Sequence, residues 1–182
     1  MASDKVLYHV FVKLVVVRHG QTDWNVEERY QGRLDVPLNR VGVSQADALK
    51  RDLAGLRFDM AYSSPLRRAV ETARIIVGDV PLIADERLTE IHHGEWQGKT
   101  RVDIQERWPD QWQKWITERE SFTPPGGESV ALVRSRIEDF LATIRGTTIL
   151  CVSHGIVIQT FLSILGRDAC VPGNASVHTF FL

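Results

Sequence analysis

The sequence has few cysteines and no excess of charge of either sign. Its two cysteines, Cys151 and Cys170, are too few for the disulfide framework of a small secreted domain. The 22 basic and 23 acidic residues nearly cancel, for a formal net charge of −1. Proteins that bind nucleic acids or membrane surfaces usually carry a basic excess. We therefore expect no nucleic-acid partner and a reducing compartment.

Long apolar runs are also missing. Residues 14–17 are typical of the longest ones, and they fall far short of the roughly 20 residues needed to span a bilayer. Residues 1–13 contain neither an uninterrupted apolar stretch nor a small-residue cleavage site, so we predict no signal peptide there. These absences predict a cytoplasmic protein with no membrane partner.

The remaining composition is that of an ordinary globular protein. The chain has 182 residues, of which 43% are hydrophobic and 25% charged. Domains usually contain about 100–200 residues, so we predict a single domain over residues 1–182. Residues 99–128 combine a charged, Trp-containing stretch with a Pro-Pro-Gly-Gly loop, which indicates a small helical cap insert.

Strand-like and helix-like segments alternate along the chain. Predicted strands lie at residues 14–17, 58–62, 81–84, 147–152 and 177–182. Predicted helices lie at residues 43–56, 66–77, 130–145 and 156–165, with one or two more within 100–120. This alternation predicts an α/β fold of three layers, α/β/α, in which helices flank a mainly parallel sheet on both faces.

Basic and polar residues follow three of the predicted strands. Arg18 and His19 follow the first, residues 63–68 follow the second, and His154 follows the strand at 147–152. Parallel sheets bind ligands beyond the carboxyl ends of their strands, so these residues are expected along one rim. Arginine matches phosphate oxygens, and a neutral imidazole can attack phosphorus and carry the phosphoryl group. Fixed cations would stabilise that transfer, and a carboxylic acid would protonate the leaving oxygen.

Other readings of these residues fit less well. An isolated histidine after a strand is more often structural than catalytic. The chain has neither the Gly-rich lysine loop of P-loop proteins nor the G-x-S-x-G elbow of α/β-hydrolases. A metal site formed by Glu90, His92, His93 and Glu95 is an alternative, but adjacent residues of an extended segment point to opposite sides. We therefore predict no metal site and no cofactor.

Four ordered motifs together resemble the histidine phosphatase superfamily, in its phosphoglycerate mutase-like branch. They are the stretches at residues 16–25 (VVRHGQTDWN), 63–69 (SSPLRRA), 87–91 (RLTEI) and 153–155 (SHG). The resemblance spans roughly residues 14–182 and implies the phosphoglycerate mutase-like fold. It also implies a single histidine phosphatase domain.

The resemblance implies roles for particular residues in and near these motifs. His19 would be the nucleophile that becomes phosphohistidine, and Glu90 would protonate the leaving group. The remaining phosphate ligands would be Arg18, Arg68 and His154, with Arg68 preferred over Arg67 because it directly precedes Ala69 as in the family motif. Substrate contacts would come from Gln21, Asn25, Gln31, Gly32 and Gly155. The mechanism requires a neutral His19 and a protonated His154, and it predicts a bell-shaped pH profile.

The connection between Glu90 and His154 is shorter than in the cofactor-dependent mutases, and it resembles that of small phosphatases. These include α-ribazole phosphatase-like and broad-specificity members. We therefore predict a metal-independent phosphomonoester hydrolase that acts on a small phosphorylated metabolite. A cofactor-dependent phosphoglycerate mutase and a non-catalytic phosphate- or phosphoprotein-binding module remain as alternatives.

The expected pocket wall beyond the phosphate consists of aromatic residues. We assign to it Trp24, Tyr30, Trp96 and residues 108–115, with His92 and His93 at the rim. The aromatic residues of the insert are also compatible with a homodimer.

Overall fold

The computed structural model describes residues 11–182, so most of the segment for which no signal peptide was predicted lies outside the described residues. A five-stranded sheet forms the centre of the molecule, with the order β3-β2-β4-β1-β5. The strands are β1 (Lys13–Arg18), β2 (Met60–Ser63), β3 (Leu82–Ala84), β4 (Thr148–Ser153) and β5 (Val177–Phe181). All neighbouring strands are parallel except β5, which pairs antiparallel with β1 at one edge.

Helices flank this sheet. They are α1 (Asp23–Val26), α2 (Arg40–Asp52), α3 (Arg67–Val77), α4 (Arg101–Arg107), α5 (Pro109–Thr117), α6 (Val130–Thr143) and α7 (Gly155–Ile164). Two short 3-10 turns, Glu86–Leu88 and Gly94–Trp96, lie between β3 and α4. The predicted α/β architecture with a mainly parallel sheet is confirmed.

Strands β1 and β4 are apolar between their terminal residues because both faces of the sheet are covered. In β1, Leu14 and Val16 pack into a cluster that includes Phe140 of α6 and Phe161 of α7. The alternate residues of the same strand pack with α2 and α3 on the opposite face. Successive side chains of a strand point to opposite faces, so one run of valines supplies both halves of the core.

The helix boundaries differ from the predicted ones where local capping decides them. Helix α2 begins at Arg40, three residues earlier than predicted, because the Asn39 side chain accepts a hydrogen bond from the Gly42 backbone N–H at 2.9 Å. It ends at Asp52, so Leu56 lies beyond it. The predicted helical stretch at 100–120 is two helices, interrupted at Trp108 before Pro109, since proline disfavours the helical conformation of the residue before it.

The strand register places the first rim residues side by side. β1 and β4 are parallel and paired from Lys13 with Thr148 through Arg18 with Ser153. Both strands therefore end at the same level of the sheet, and the residues that follow them meet at its carboxyl edge.

Among residues 11–182, no helix is both long and apolar enough to cross a membrane.

Candidate active site

Two buried histidines lie together at the carboxyl edge of the sheet. His19 follows β1 and His154 follows β4, and the centroids of their rings are 5.1 Å apart. Both side chains are almost completely withdrawn from solvent. The sequence predicted this proximity from the ends of the two strongest strands, and the register of β1 with β4 is its physical cause.

The hydrogen bonds of His19 set the state of its ring. Its Nδ1 lies 2.7 Å from the Gly20 carbonyl oxygen, which can only accept a hydrogen bond, so Nδ1 carries the proton. Nε2 then keeps its lone pair. Burial lowers the pKa of His19 well below its ordinary value, and the charges of Arg68 and Arg18 lower it further. At neutral pH the ring is therefore the neutral form that a nucleophile requires.

His154 is held in the other tautomer. The Nε of Arg68 donates to its Nδ1 at 3.2 Å, so the neutral ring carries its proton on Nε2. Burial, followed by Arg68, His19 and Arg18, lowers the pKa of His154 well below its ordinary value. The expectation that His154 is protonated is therefore wrong. Its buried Nε2 has no bonding partner among the described residues and is a donor available to an anion.

Arg68 is the most constrained cation of the site. It is 1% exposed, near the start of α3, and its two terminal nitrogens donate to the carbonyl oxygens of Leu34 and Gly32, both at 2.8 Å. Burial lowers its pKa to about 10, so it stays charged at neutral pH. The preceding Arg67 is exposed and pairs with Glu71 at 3.4 Å, so Arg68 is the arginine of this pair that lies beside the histidines.

Arg18 and Glu90 are the remaining charged residues of the candidate site. Arg18 donates from Nη1 to the carbonyl oxygen of Pro172, and its buried Nε has no bonding partner within the described chain. Burial lowers the pKa of Arg18, while the nearby charge of Glu90 acts in the opposite direction. The Glu90 carboxylate accepts from the backbone N–H of Ile91 at 3.0 Å and of Ile156 at 3.4 Å.

Two glycines with predicted substrate contacts permit close approaches. Gly32 has a φ of +52°, and a Cβ there would lie 2.2 Å from the Gln97 Oε1. Its carbonyl group holds Arg68. A Cβ on Gly155 would lie 3.1 Å from Val171 Cγ1 and 3.7 Å from both Arg18 Cζ and Glu90 Oε2, so the tight approach there is to Val171.

The three predicted amide side chains differ in their surroundings. The Gln31 side chain is buried, and its Oε1 has no hydrogen-bond partner among the described residues. The Oε1 of Gln21 accepts from Asn39 at 3.1 Å. The Oδ1 of Asn25 accepts from the backbone N–H of Thr22 at 3.0 Å, where it forms part of the α1 cap.

Two residues that sequence reasoning did not assign support the segment that carries His19. The Asn174 side chain donates to the carbonyl oxygens of His19 at 3.2 Å and Gly20 at 3.4 Å. The hydroxyl of Thr72 accepts from the Gly20 N–H at 3.1 Å. Thr72 lies three residues after the second motif, on the same predicted helix, so it could have been assigned from the sequence. Asn174 is far away in the sequence, and no local pattern connects it with residue 19.

A cavity of about 510 Å³ opens beside these groups. Its polar lining includes Arg18 and Glu90, and its aromatic wall consists of Tyr30, Trp112 and Trp115. Trp96 is 0% exposed, so its assignment to the wall is wrong. Trp112, Trp115 and Phe122 surround its ring in the core.

His92 and His93, both predicted to lie at the rim of the pocket, have different surroundings. His93 lines the cavity and is buried, with its ring 4.8 Å from that of Tyr30. His92 is partly exposed, and its Nδ1 accepts from the Gly94 N–H at 3.2 Å. Within residues 11–182, no three His, Cys, Asp or Glu side chains are grouped as a metal ion would need, so the alternative metal site at residues 90–95 is not formed.

The model of the histidine phosphatase superfamily (branch 1) matches residues 14–174. The chain belongs to this superfamily. The match covers all four sequence motifs, and it confirms the resemblance on which the site residues were chosen. Its phosphoglycerate mutase-like fold is also that of the solved structures to which this histidine phosphatase is similar.

Relatives of this histidine phosphatase bear both phosphatase and mutase names. It is 36% identical over 164 residues to phosphoserine phosphatase 1 of Hydrogenobacter thermophilus, covering 86% of this chain and 78% of that protein. It is 36% identical over 178 residues to a 2,3-bisphosphoglycerate-dependent phosphoglycerate mutase of a Methylobacterium species, covering 88% and 84%. Its structure matches that of a putative α-ribazole-5′-phosphate phosphatase from Escherichia coli with a TM-score of 0.80 and 29% identity, covering 87% and 81%.

The buried histidines predict that this histidine phosphatase loses stability as the pH falls below about 6.5. Burial lowers the pKa of His19, His154 and His93, the last to about 3, so all three stay neutral in the folded chain. The unfolded chain binds up to three more protons in this range. The free energy of unfolding should therefore decrease by up to about 4 kcal/mol per pH unit.

Urea unfolding in phosphate-free buffers at about pH 7.5, 6.5 and 5.5 measures this slope. In His93→Leu, which removes one of the three groups, the slope should fall by about a third. Equal free energies of unfolding at the two ends of the range would contradict the assignment of three neutral rings.

Proposed function

We propose that this enzyme hydrolyses a phosphomonoester of a small metabolite, without a metal ion, through a phosphohistidine on His19. The observation that carries the proposal is the fixed tautomer of His19. Its Nδ1–H donates to Gly20, which leaves the Nε2 lone pair beside two arginines and the free Nε2–H of His154. This arrangement supplies a neutral nucleophile and donors for all the oxygens of a phosphoryl group.

In the first half-reaction, the Nε2 lone pair of His19 attacks phosphorus and the bond from phosphorus to the ester oxygen breaks. The proton of the Glu90 carboxyl group passes to that oxygen, so the alcohol leaves neutral. Arg18, Arg68 and His154 hold the transferred oxygens throughout. Arg68 cannot turn away, because two carbonyl groups fix its terminal nitrogens.

In the second half-reaction, water attacks the phosphohistidine. The Glu90 carboxylate accepts a proton from that water, the phosphorus–nitrogen bond breaks, and inorganic phosphate forms. The electron pair returns to Nε2 of His19, and Glu90 is again protonated for the next cycle. Glu90 lines the open cavity together with Arg18, so the water can reach phosphorus from the side of the departed alcohol.

The names of the relatives support hydrolysis of a small phosphorylated compound. Phosphoserine phosphatase 1 and the α-ribazole-5′-phosphate phosphatase are named for such substrates. We place the reaction in the cytoplasm, which suits the two free thiols, Cys151 and Cys170. A homodimer remains a prediction from the aromatic insert.

A phosphoglycerate mutase is the second candidate. Relatives that are named as mutases have the same sequence identity to this chain, 36%, as phosphoserine phosphatase 1. The short connection between Glu90 and His154 supports hydrolysis, because a small insert leaves the cavity beside Glu90 open to water.

The two functions differ in the fate of the phosphoryl group. Excess chelator should leave the hydrolysis of 4-nitrophenyl phosphate unchanged. With 3-phosphoglycerate, release of inorganic phosphate should exceed formation of 2-phosphoglycerate, with or without the 2,3-bisphosphate primer. Faster isomerisation than phosphate release would assign the mutase activity instead, and activity lost on chelation would overturn the metal-free mechanism.

A further inference from the structure

One arginine in the wall of the cavity has no hydrogen-bond or ion-pair partner among residues 11–182. Arg119 follows α5, is partly buried, and lines the same cavity as Arg18 and Glu90. Its Nε is buried without a hydrogen-bond partner in the described part of the chain. None of the ion pairs formed among residues 11–182 includes it.

The other arginines of this cavity each have a hydrogen-bond partner within the described residues or are exposed to water. Arg18 donates to Pro172, and Arg29 donates from Nε to Glu27 at 2.6 Å and from Nη1 to the Gly98 carbonyl oxygen at 2.8 Å. Arg101 is exposed to water at the start of α4. Arg18 also has an unpaired buried Nε, but it already carries one hydrogen bond and belongs to the proposed phosphate site. Among the described residues, Arg119 is therefore the partly buried arginine of this cavity that has neither a hydrogen bond nor a place in the phosphate site.

Arg119 is held in place by an aromatic ring. Its Cζ lies 4.9 Å from the centroid of the Trp115 ring, and Trp115 is itself buried. A guanidinium over a ring keeps the N–H donors along its edge available to a ligand. Stacking thus fixes the group without using its donors.

A charged group removed from water without a partner is unfavourable for the folded protein. Burial accordingly lowers the pKa of Arg119, while Tyr30 and Glu90 act in the opposite direction. A negatively charged ligand group would remove this penalty. One unpaired guanidinium balances one negative charge, which matches a carboxylate better than a second phosphate dianion.

We propose, building on the proposed function, that Arg119 binds a carboxylate of the substrate and that the enzyme prefers phosphorylated acids. The phosphate would lie beside Arg18, where the cavity adjoins the two buried histidines of the proposed phosphate site. The carbon skeleton would lie against Tyr30 and Trp112, and the carboxylate would reach the donors of Arg119. A volume of about 510 Å³ has room for such a molecule.

The test compares two substrates that differ at one group. 3-Phosphoglycerate carries a carboxylate where glycerol 3-phosphate carries a hydroxymethyl group. The kcat/KM of the wild-type enzyme should be at least about tenfold higher for the acid. In Arg119→Gln this ratio should fall by about tenfold or more, chiefly through KM, because the carboxylate contact is remote from phosphorus. Arg119→Lys should keep part of the preference because it keeps the charge.

The matched control is Arg107→Gln. Arg107 lies over Trp108 of the same insert, with its Cζ 4.8 Å from the ring centroid, but it does not line this cavity. In this variant, the ratio of kcat/KM for 3-phosphoglycerate to kcat/KM for glycerol 3-phosphate should equal that of the wild-type enzyme. Thermal unfolding of each variant checks that it is folded. A wild-type ratio near one, or a ratio unchanged in Arg119→Gln, would overturn the proposal.

The outcome also separates this inference from the proposed function. If neither substrate nor 4-nitrophenyl phosphate is hydrolysed, the proposed phosphatase function fails. Calorimetric binding of 3-phosphoglycerate and glycerol 3-phosphate to the wild-type and Arg119→Gln proteins then makes the same comparison. Equal affinities of the wild-type protein for both compounds would overturn the role of Arg119.

Discussion

The variant His19→Ala is expected to lose at least about a thousandfold in kcat for 4-nitrophenyl phosphate, measured in excess chelator. The reason is that the proposed reaction has no other acceptor for the phosphoryl group. The neighbouring ring of His154 carries a proton on Nε2 rather than a lone pair, because Arg68 donates to its Nδ1. Rapid quenching into base should also trap a phosphorylated wild-type enzyme and none in the variant.

His178→Ala is the matched control for this experiment. His178 lies on the edge strand β5, is partly exposed, and takes no part in the candidate site. Its activity should remain within about threefold of the wild-type value, as expected for a surface change. Full activity in His19→Ala with an intact fold would show that another residue is the nucleophile.

The variant Glu90→Gln should separate the two half-reactions. With an alkyl phosphate, kcat/KM should fall by about 10²–10⁴-fold, because the alkoxide leaves poorly without a proton donor. With 4-nitrophenyl phosphate the loss in kcat/KM should be less than about tenfold, since the phenolate needs little protonation. Hydrolysis of the phosphohistidine still lacks its base, so stopped-flow absorbance should show a burst of nitrophenolate near one equivalent of enzyme.

Glu95→Gln serves as the control because Glu95 is an exposed carboxylate five residues away. It should show neither the burst nor the difference between substrates. Equal losses in kcat/KM for the alkyl and the aryl phosphate in Glu90→Gln would contradict the role of Glu90 as the acid.

The sheet could be predicted because its signal is local. The runs at 14–17 and 147–152 are apolar enough to be recognised as buried strands, and they are observed as β1 and β4. Basic residues directly after them then had to meet at one edge. The proximity of His19 and His154 thus follows from two short segments and one general property of parallel sheets.

The state of the site could not be predicted in the same way. The charge of His154 depends on Arg68 at its Nδ1 and on burial, which appear only when α3 is packed beside β4. Trp96 and Trp112 look alike in the sequence, yet one is in the core and the other in the cavity wall. Such differences depend on contacts between distant segments, which periodicity does not encode.

The paired ends of β1 and β4 have a consequence for how the enzyme can evolve. A deletion of one residue in either strand would turn the following histidine to the opposite face of the sheet, so selection should reject length changes there. Trp112, Trp115 and Arg119 come instead from α5 and the turn after it, outside the sheet. Insertions and deletions in that segment can alter which compounds fit without moving the reacting atoms, so new specificities can arise while the chemistry is inherited unchanged.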